Sequence, residues 1–153
     1  MIVTAGFAAL LVAASCFDVL SLRIPNVIPL GLVVLFALQL LVEPGVHAPL
    51  DHFLAMAVTL LILLPVFALD MLGGGDIKLL AAVALWLGMQ KLAALLVLVG
   101  IVGGIFALLW LATRWLVRRG LGDRPLPTSL QAHAPLPFAL PITIVAALLF
   151  PTG

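Results

Sequence analysis

Charge is what this sequence has least of. Only 8% of its 153 residues are charged and 65% are hydrophobic, whereas soluble domains carry about 25% charged residues and about half apolar ones. A water-soluble fold of this size has too little interior to hide so much apolar surface, so the solvent for most of the chain is lipid. The formal net charge of +1 is too small for a nucleic-acid partner. The single cysteine, Cys16, excludes an internal disulfide framework and any metal site built from several cysteines. No Lys or Arg precedes Arg23, so the first apolar stretch lacks the basic start of a cleaved signal peptide and is expected to persist as a helix. Ala13-Ala14-Ser15-Cys16 faintly matches a lipoprotein cleavage site, without the leucine that usually begins one.

What is abundant is apolar sequence in long runs. A membrane-spanning helix needs roughly 20 mainly apolar residues. Ile2–Phe17 is the first such run, ended by Asp18, and Val27–Val42 the second, after the break Arg23-Ile24-Pro25-Asn26. Glu43–Pro49 reads as a loop from its Pro and Gly content. Phe53–Leu69 is a third run, stopped by Asp70 and Gly73-Gly74-Gly75. Ile77–Trp110 is almost unbroken, but as one helix it would be about 50 Å long, too tall for a hydrocarbon core of about 30 Å. Its polar interruption, Gly88-Met89-Gln90-Lys91, splits it into a short fourth span, Ile77–Leu87, and a fifth, Leu92–Leu116. Gly120–Ala134 is a polar loop, and Pro135–Phe150 a sixth span, irregular at its proline-rich start. The fold class is therefore all-α, a polytopic membrane bundle of about six transmembrane helices forming one domain over 1–153.

Charge placement supports this division. With six spans, Arg23, Lys78, Arg114, Arg118, Arg119 and Arg124 share one face and only Lys91 lies on the other. The basic face is then the cytoplasmic one. Asp18, Asp70 and Asp76 all lie at the cytoplasmic ends of helices.

Acids at membrane depth cost several kcal/mol unless paired or wetted, so each is a candidate for function. The strongest group is Gly73-Gly74-Gly75-Asp76, where a loop enters a helix. Glycines lack a Cβ, tolerate positive φ and let one backbone approach another closely; an extended substrate beside an acid needs that access. Asp76 falls in the first helical turn, where free amides favour a carboxylate. The alternative is a flexible linker with Asp76 as a cap. Asp18 lies on the same membrane face, and alone it could be a simple helix-ending charge. Together the two suit peptide hydrolysis, which needs two carboxyls sharing a water, one ionised and one protonated. Like charges held close divide their protonation in this way and titrate as a unit.

Other chemistries find less support. His47 and His52 fall opposite the acids, His133 is alone in a loop, and no His-Glu-x-x-His occurs, which argues against a zinc protease. Ser15, Ser21 and Ser129 have no histidine that the topology brings near. Cys16 reads as a small buried apolar residue. Lys78, two residues from Asp76, points elsewhere and snorkels toward headgroups. Trp86, Trp110 and Trp115 read as interfacial anchors.

The pattern resembles a known family. Gly73-Gly74-Gly75-Asp76-Ile77-Lys78-Leu79 is similar to the GxGD-x-K-L signature of type IV prepilin peptidases. Asp18 followed by Arg23-Ile24-Pro25-Asn26 resembles the family's other motif, and Ala134–Ala139 resembles the opening of its last helix with the residue order altered. The GxGD element alone is shared with presenilin-type intramembrane proteases; the combination is more specific. The resemblance implies an aspartyl endopeptidase with Asp18 and Asp76 as catalytic pair, Gly73, Gly74 and Gly75 beside the substrate, and no metal or cofactor. It implies cleavage of a positively charged prepilin leader at the cytoplasmic face of the bacterial inner membrane, with contact to the pilus assembly machinery. Larger members carry paired CxxC motifs in an extra cytoplasmic segment and also N-methylate the product. This chain has no CxxC and no long loop between its first two spans, and it resembles the minimal branch serving Flp pili. Two readings from other classes are a proton- or cation-coupled transporter or channel subunit and a non-enzymatic assembly factor. A transporter would place its acids near mid-membrane and favour inverted repeats.

Overall fold

The computed structural model describes residues 2–42, 48–69, 72–121 and 138–150. Among these the chain forms six helices and no strand: α1 Ile2–Ser21, α2 Val27–Val42, α3 Pro49–Ala68, α4 Gly74–Leu87, α5 Met89–Leu121 and α6 Ala139–Leu149. Three of them, α1, α3 and α5, contain stretches long and apolar enough to cross a membrane by themselves: Val3–Ser21, Pro49–Ala68 and Met89–Val117. α2 and α6 are shorter apolar helices. This is the expected all-α membrane helix bundle.

The helices are apolar nearly all round, so what arranges them is not a polar-against-apolar division but close fit. α4 is the hub. Ile77 and every residue from Leu79 to Leu87 are buried, and α2, α3, α5 and α6 all pack on this helix, while α1 joins α2 and α6. Small residues permit the approach. A Cβ added to Gly6 would lie 3.0 Å from Leu35, and one on Gly31 3.4 Å from Leu10, so α1 and α2 mesh in antiparallel register. A Cβ on Gly103 of α5 would lie 2.6 Å from the Phe138 ring at the head of α6. Trp86 was expected at the membrane interface; instead it is buried at the far end of α4 among Phe7, Phe36 and Phe150, with Nε1–H donating to the Leu32 carbonyl at 3.0 Å. An indole N–H leaves water readily only when it finds such a partner. Trp115 is exposed and carries the Arg119 guanidinium 3.9 Å above its ring, and Trp110 stacks on Phe106 at 5.7 Å. Cys16 also departs from expectation: it is exposed on the outer surface of α1.

The break between the fourth and fifth spans falls at Gly88, and Met89–Lys91 join the fifth helix instead of forming a linker. Gly88 has φ 73° and ψ 175°, a backbone state essentially reserved for glycine. The turn is braced from α3. Asp51 Oδ2 accepts the Met89 N–H at 3.0 Å, capping α5, and the His52 ring bonds the Leu85 carbonyl through Nδ1 at 2.8 Å. Lys91 donates to the last turn of α6 at Leu149. These contacts gather the starts of α3 and α5 and the ends of α4 and α6 at one end of the bundle, opposite the end that holds Asp18 and Asp76.

Gly88→Ala is expected to lower stability by about 1–3 kcal/mol, read as an earlier thermal unfolding midpoint of the detergent-solubilised protein; an unchanged midpoint would contradict the assigned turn.

Candidate active site

α1 does not stop at Asp18. It continues to Ser21, and the chain turns at Leu22, whose φ of 53° is left-handed and whose N–H bonds the Asp18 carbonyl at 2.9 Å. Asp18 thus sits one turn inside the helix with its side chain directed into the bundle, only 4% exposed. The left-handed turn sends Arg23-Ile24-Pro25-Asn26 back across the same end of the molecule toward α4.

Asp76 lies in the first turn of α4, 8% exposed. The helix is capped by Gly73, with φ −67° and ψ 142°, and the Asp76 carboxylate accepts the Gly73 backbone N–H. This is the returning half of a capping box. The alternative in which Asp76 is itself the cap residue is therefore corrected by three positions. Its Oδ1 is buried without a hydrogen bond to the described residues. Packing brings together two carboxyls, on α1 and α4, that are separated in sequence by two helices, near enough for the charge of Asp18 to bear on Asp76.

None of the three glycines uses positive φ; among the described glycines only Gly88 does. Their role is proximity. A Cβ on Gly73 would lie 2.9 Å from Asp76 Oδ2, one on Gly74 3.3 Å from Phe67 of α3, and one on Gly75 3.1 Å from Cβ of Ile24. The head of α4 is thereby fitted between the end of α3 and the turn after α1, and Gly73 remains exposed beside the acid.

Two further contacts were not anticipated from sequence. Asp18 Oδ2 accepts the Ala139 N–H at 2.8 Å, so the first amide of α6 is held by a residue of α1. Lys78 does not simply reach for headgroups: its Nζ donates to Asn26 Oδ1 at 2.9 Å, linking the segment after α1 to α4. The second pairing had a signal, a cation and an amide within the two stretches already singled out. The first had none, because a backbone donor leaves no mark on composition. Asp70, His47, His133 and Ser129 lie outside the described residues. Arg114, one of the residues assigned to the basic face, is buried within α5. Among the described residues no three His, Cys, Asp or Glu side chains converge as a metal site would require.

The arrangement offers two carboxyls in an apolar surrounding, each oriented by a backbone amide, next to an exposed glycine backbone. Comparison with known proteins identifies a family for the chain. The model of the type IV leader peptidase family matches residues 5–108, about two thirds of the chain, and this stretch contains both acids and all three glycines. No curated protein and no solved structure matches the sequence. The chain belongs to the type IV leader peptidase family and is a membrane protease of that kind.

Gly73→Ala and Gly75→Ala are each expected to lower proteolysis about tenfold or more by displacing the acid or the Ile24 turn, with helix content by circular dichroism unchanged. Full activity in both would show that the close contacts do not matter.

Proposed function

We propose that this member of the type IV leader peptidase family is an aspartyl endopeptidase that removes the leader of Flp-type prepilins, with Asp18 and Asp76 as its catalytic pair. One observation carries the reading: two buried acids from α1 and α4 come together at one end of a membrane bundle, beside the exposed backbone of Gly73. The basic residues Arg23, Lys78, Arg114 and Arg119 lie toward this same end, which supports reading it as the cytoplasmic side of a bacterial inner membrane. That is where a positively charged leader would be presented.

In this mechanism a water held between the carboxyls attacks the scissile carbonyl. The ionised aspartate takes a proton from the water as the carbon–oxygen bond forms, and the protonated one gives its proton to the carbonyl oxygen. The tetrahedral gem-diol then collapses: the carbon–nitrogen bond breaks, the leaving amine receives the proton held by the pair, and one hydroxyl returns its proton to the ionised aspartate. Backbone groups of Gly73–Gly75 hold the substrate extended. Asp76 Oδ1, unengaged by the described residues, is the acceptor suited to the water. A transporter is the weaker reading, because the acids sit at one end of the bundle and the chain belongs to a protease family.

Co-expression with a candidate prepilin, scored by the mass of the product, tests the proposal. Asp18→Asn and Asp76→Asn are each expected to abolish leader removal while the protein still accumulates in the membrane; retained cleavage in either would remove the pair. Asp70→Asn is expected to keep activity, and if Asp70 proves essential while Asp18 is dispensable, the partner has been chosen wrongly.

The product is expected to leave this enzyme with an unmethylated amino terminus, since α1 and α2 are joined by only the short segment Leu22–Asn26 and no CxxC is present. A methylated product formed by the purified enzyme with S-adenosylmethionine would overturn this.

A further inference from the structure

One turn below Asp18, the contact between α1 and α6 contains a small polar cluster that the proposed chemistry does not use. Ser15 Oγ and Thr143 Oγ1 lie 2.8 Å apart. Both also reach the Leu11 carbonyl, each at 3.2 Å. Each hydroxyl has one proton, so whichever donates to its neighbour leaves the other free to donate to Leu11. Ser15 makes a longer contact, 3.5 Å, with the carbonyl of Ala139, the residue whose N–H binds Asp18.

The spacing links this cluster to the acid. Ser15 is three residues before Asp18, and Thr143 four after Ala139, so each pair shares a helix face. Ser15 meets Thr143 and Asp18 meets Ala139, as two antiparallel helices in one register would have it. Ala139 is therefore held through its N–H by Asp18, and its carbonyl lies within 3.5 Å of Ser15 Oγ, which donates to it only when Thr143 in turn donates to Ser15. α6 has no side-chain cap of its own at Phe138, and an uncapped first turn leaves its amides without partners. Apolar contacts alone tolerate sliding between two helices; hydroxyl groups in a membrane bundle do not, because a slip leaves them unpaired in an apolar medium.

We propose that Ser15 and Thr143 are positioning residues that fix the register of α6 on α1, so that the Ala139 amide meets Asp18 and holds its carboxyl toward Asp76. The proposal rests on the catalytic reading of Asp18. Neither hydroxyl touches substrate; both act through Ala139. Their loss leaves binding intact and slows the chemical step.

The test is steady-state cleavage of a prepilin that the unaltered enzyme processes, with Asp18→Asn in parallel. Ser15→Ala and Thr143→Val are each expected to lower kcat about tenfold, with KM changed by less than about twofold. Thr143→Ser, which keeps the hydroxyl, is expected to retain the unaltered kcat, and the double variant to be no slower than either single one. If Ser15→Ala does not accumulate in the membrane, Ser15→Cys, similar in size and a poor donor, takes its place with the same expectation. Unchanged kcat in the hydroxyl-deleted variants beside an inactive Asp18→Asn would overturn the positioning role alone. A loss in Thr143→Ser equal to that in Thr143→Val would assign the effect to packing and also overturn it. An active Asp18→Asn would remove the catalytic pair and this proposal with it.

Discussion

The carboxyl group of Asp76 has to be kept in an apolar bundle beside a second carboxyl, and much of the architecture follows from that constraint. An unpaired buried carboxylate is costly enough that proteins neutralise or hydrogen-bond such groups. Here backbone amides hold the pair: Gly73 binds Asp76 and Ala139 binds Asp18. Amides at helix starts favour negative charge without adding a titratable partner, which suits the proton exchange that the proposed catalytic pair requires.

Such an arrangement requires the starts of α4 and α6 to meet the end of α1, and the rest of the bundle is disposed to achieve it. α4 is buried from Leu79 to Leu87 and receives its neighbours on every side. Its head is fixed by Phe67 against Gly74, Ile24 against Gly75 and Asn26 on Lys78. Its far end is fixed by Asp51, His52 and the Trp86 cluster. With both ends braced, the position of Asp76 depends on contacts from three other helices. The glycines then act less as flexible hinges than as the only residues small enough for those contacts.

Reading the linear pattern went furthest where local chemistry was decisive. The split after Leu87 was legible because only a polar, glycine-led interruption fits a membrane of fixed thickness. The acids stood out because ionisable groups are rare and expensive there. The reading erred on Trp86, Cys16 and Lys78, three residues whose neighbours come from other helices. A tryptophan near a helix end is compatible with a headgroup belt or with an aromatic cluster, and only its neighbours distinguish them.

Composition, apolar run length and the glycine–aspartate pattern were enough by themselves to determine a helical membrane bundle and its two candidate acids, and the addition of Asp18 with Arg23-Ile24-Pro25-Asn26 pointed to its family. They could not determine which helix faces meet. These helices are apolar nearly all the way round, so no amphipathic stripe marks an inner side. Lipid also removes the usual penalty for exposing leucine. Tertiary packing alone decided that α4 lies at the centre, that Asp18 turns inward to the Ala139 amide, and that Ser15 and Thr143 lock the contact beneath it. Those choices depend on interlocking shapes and on backbone donors, which no single position in the chain records.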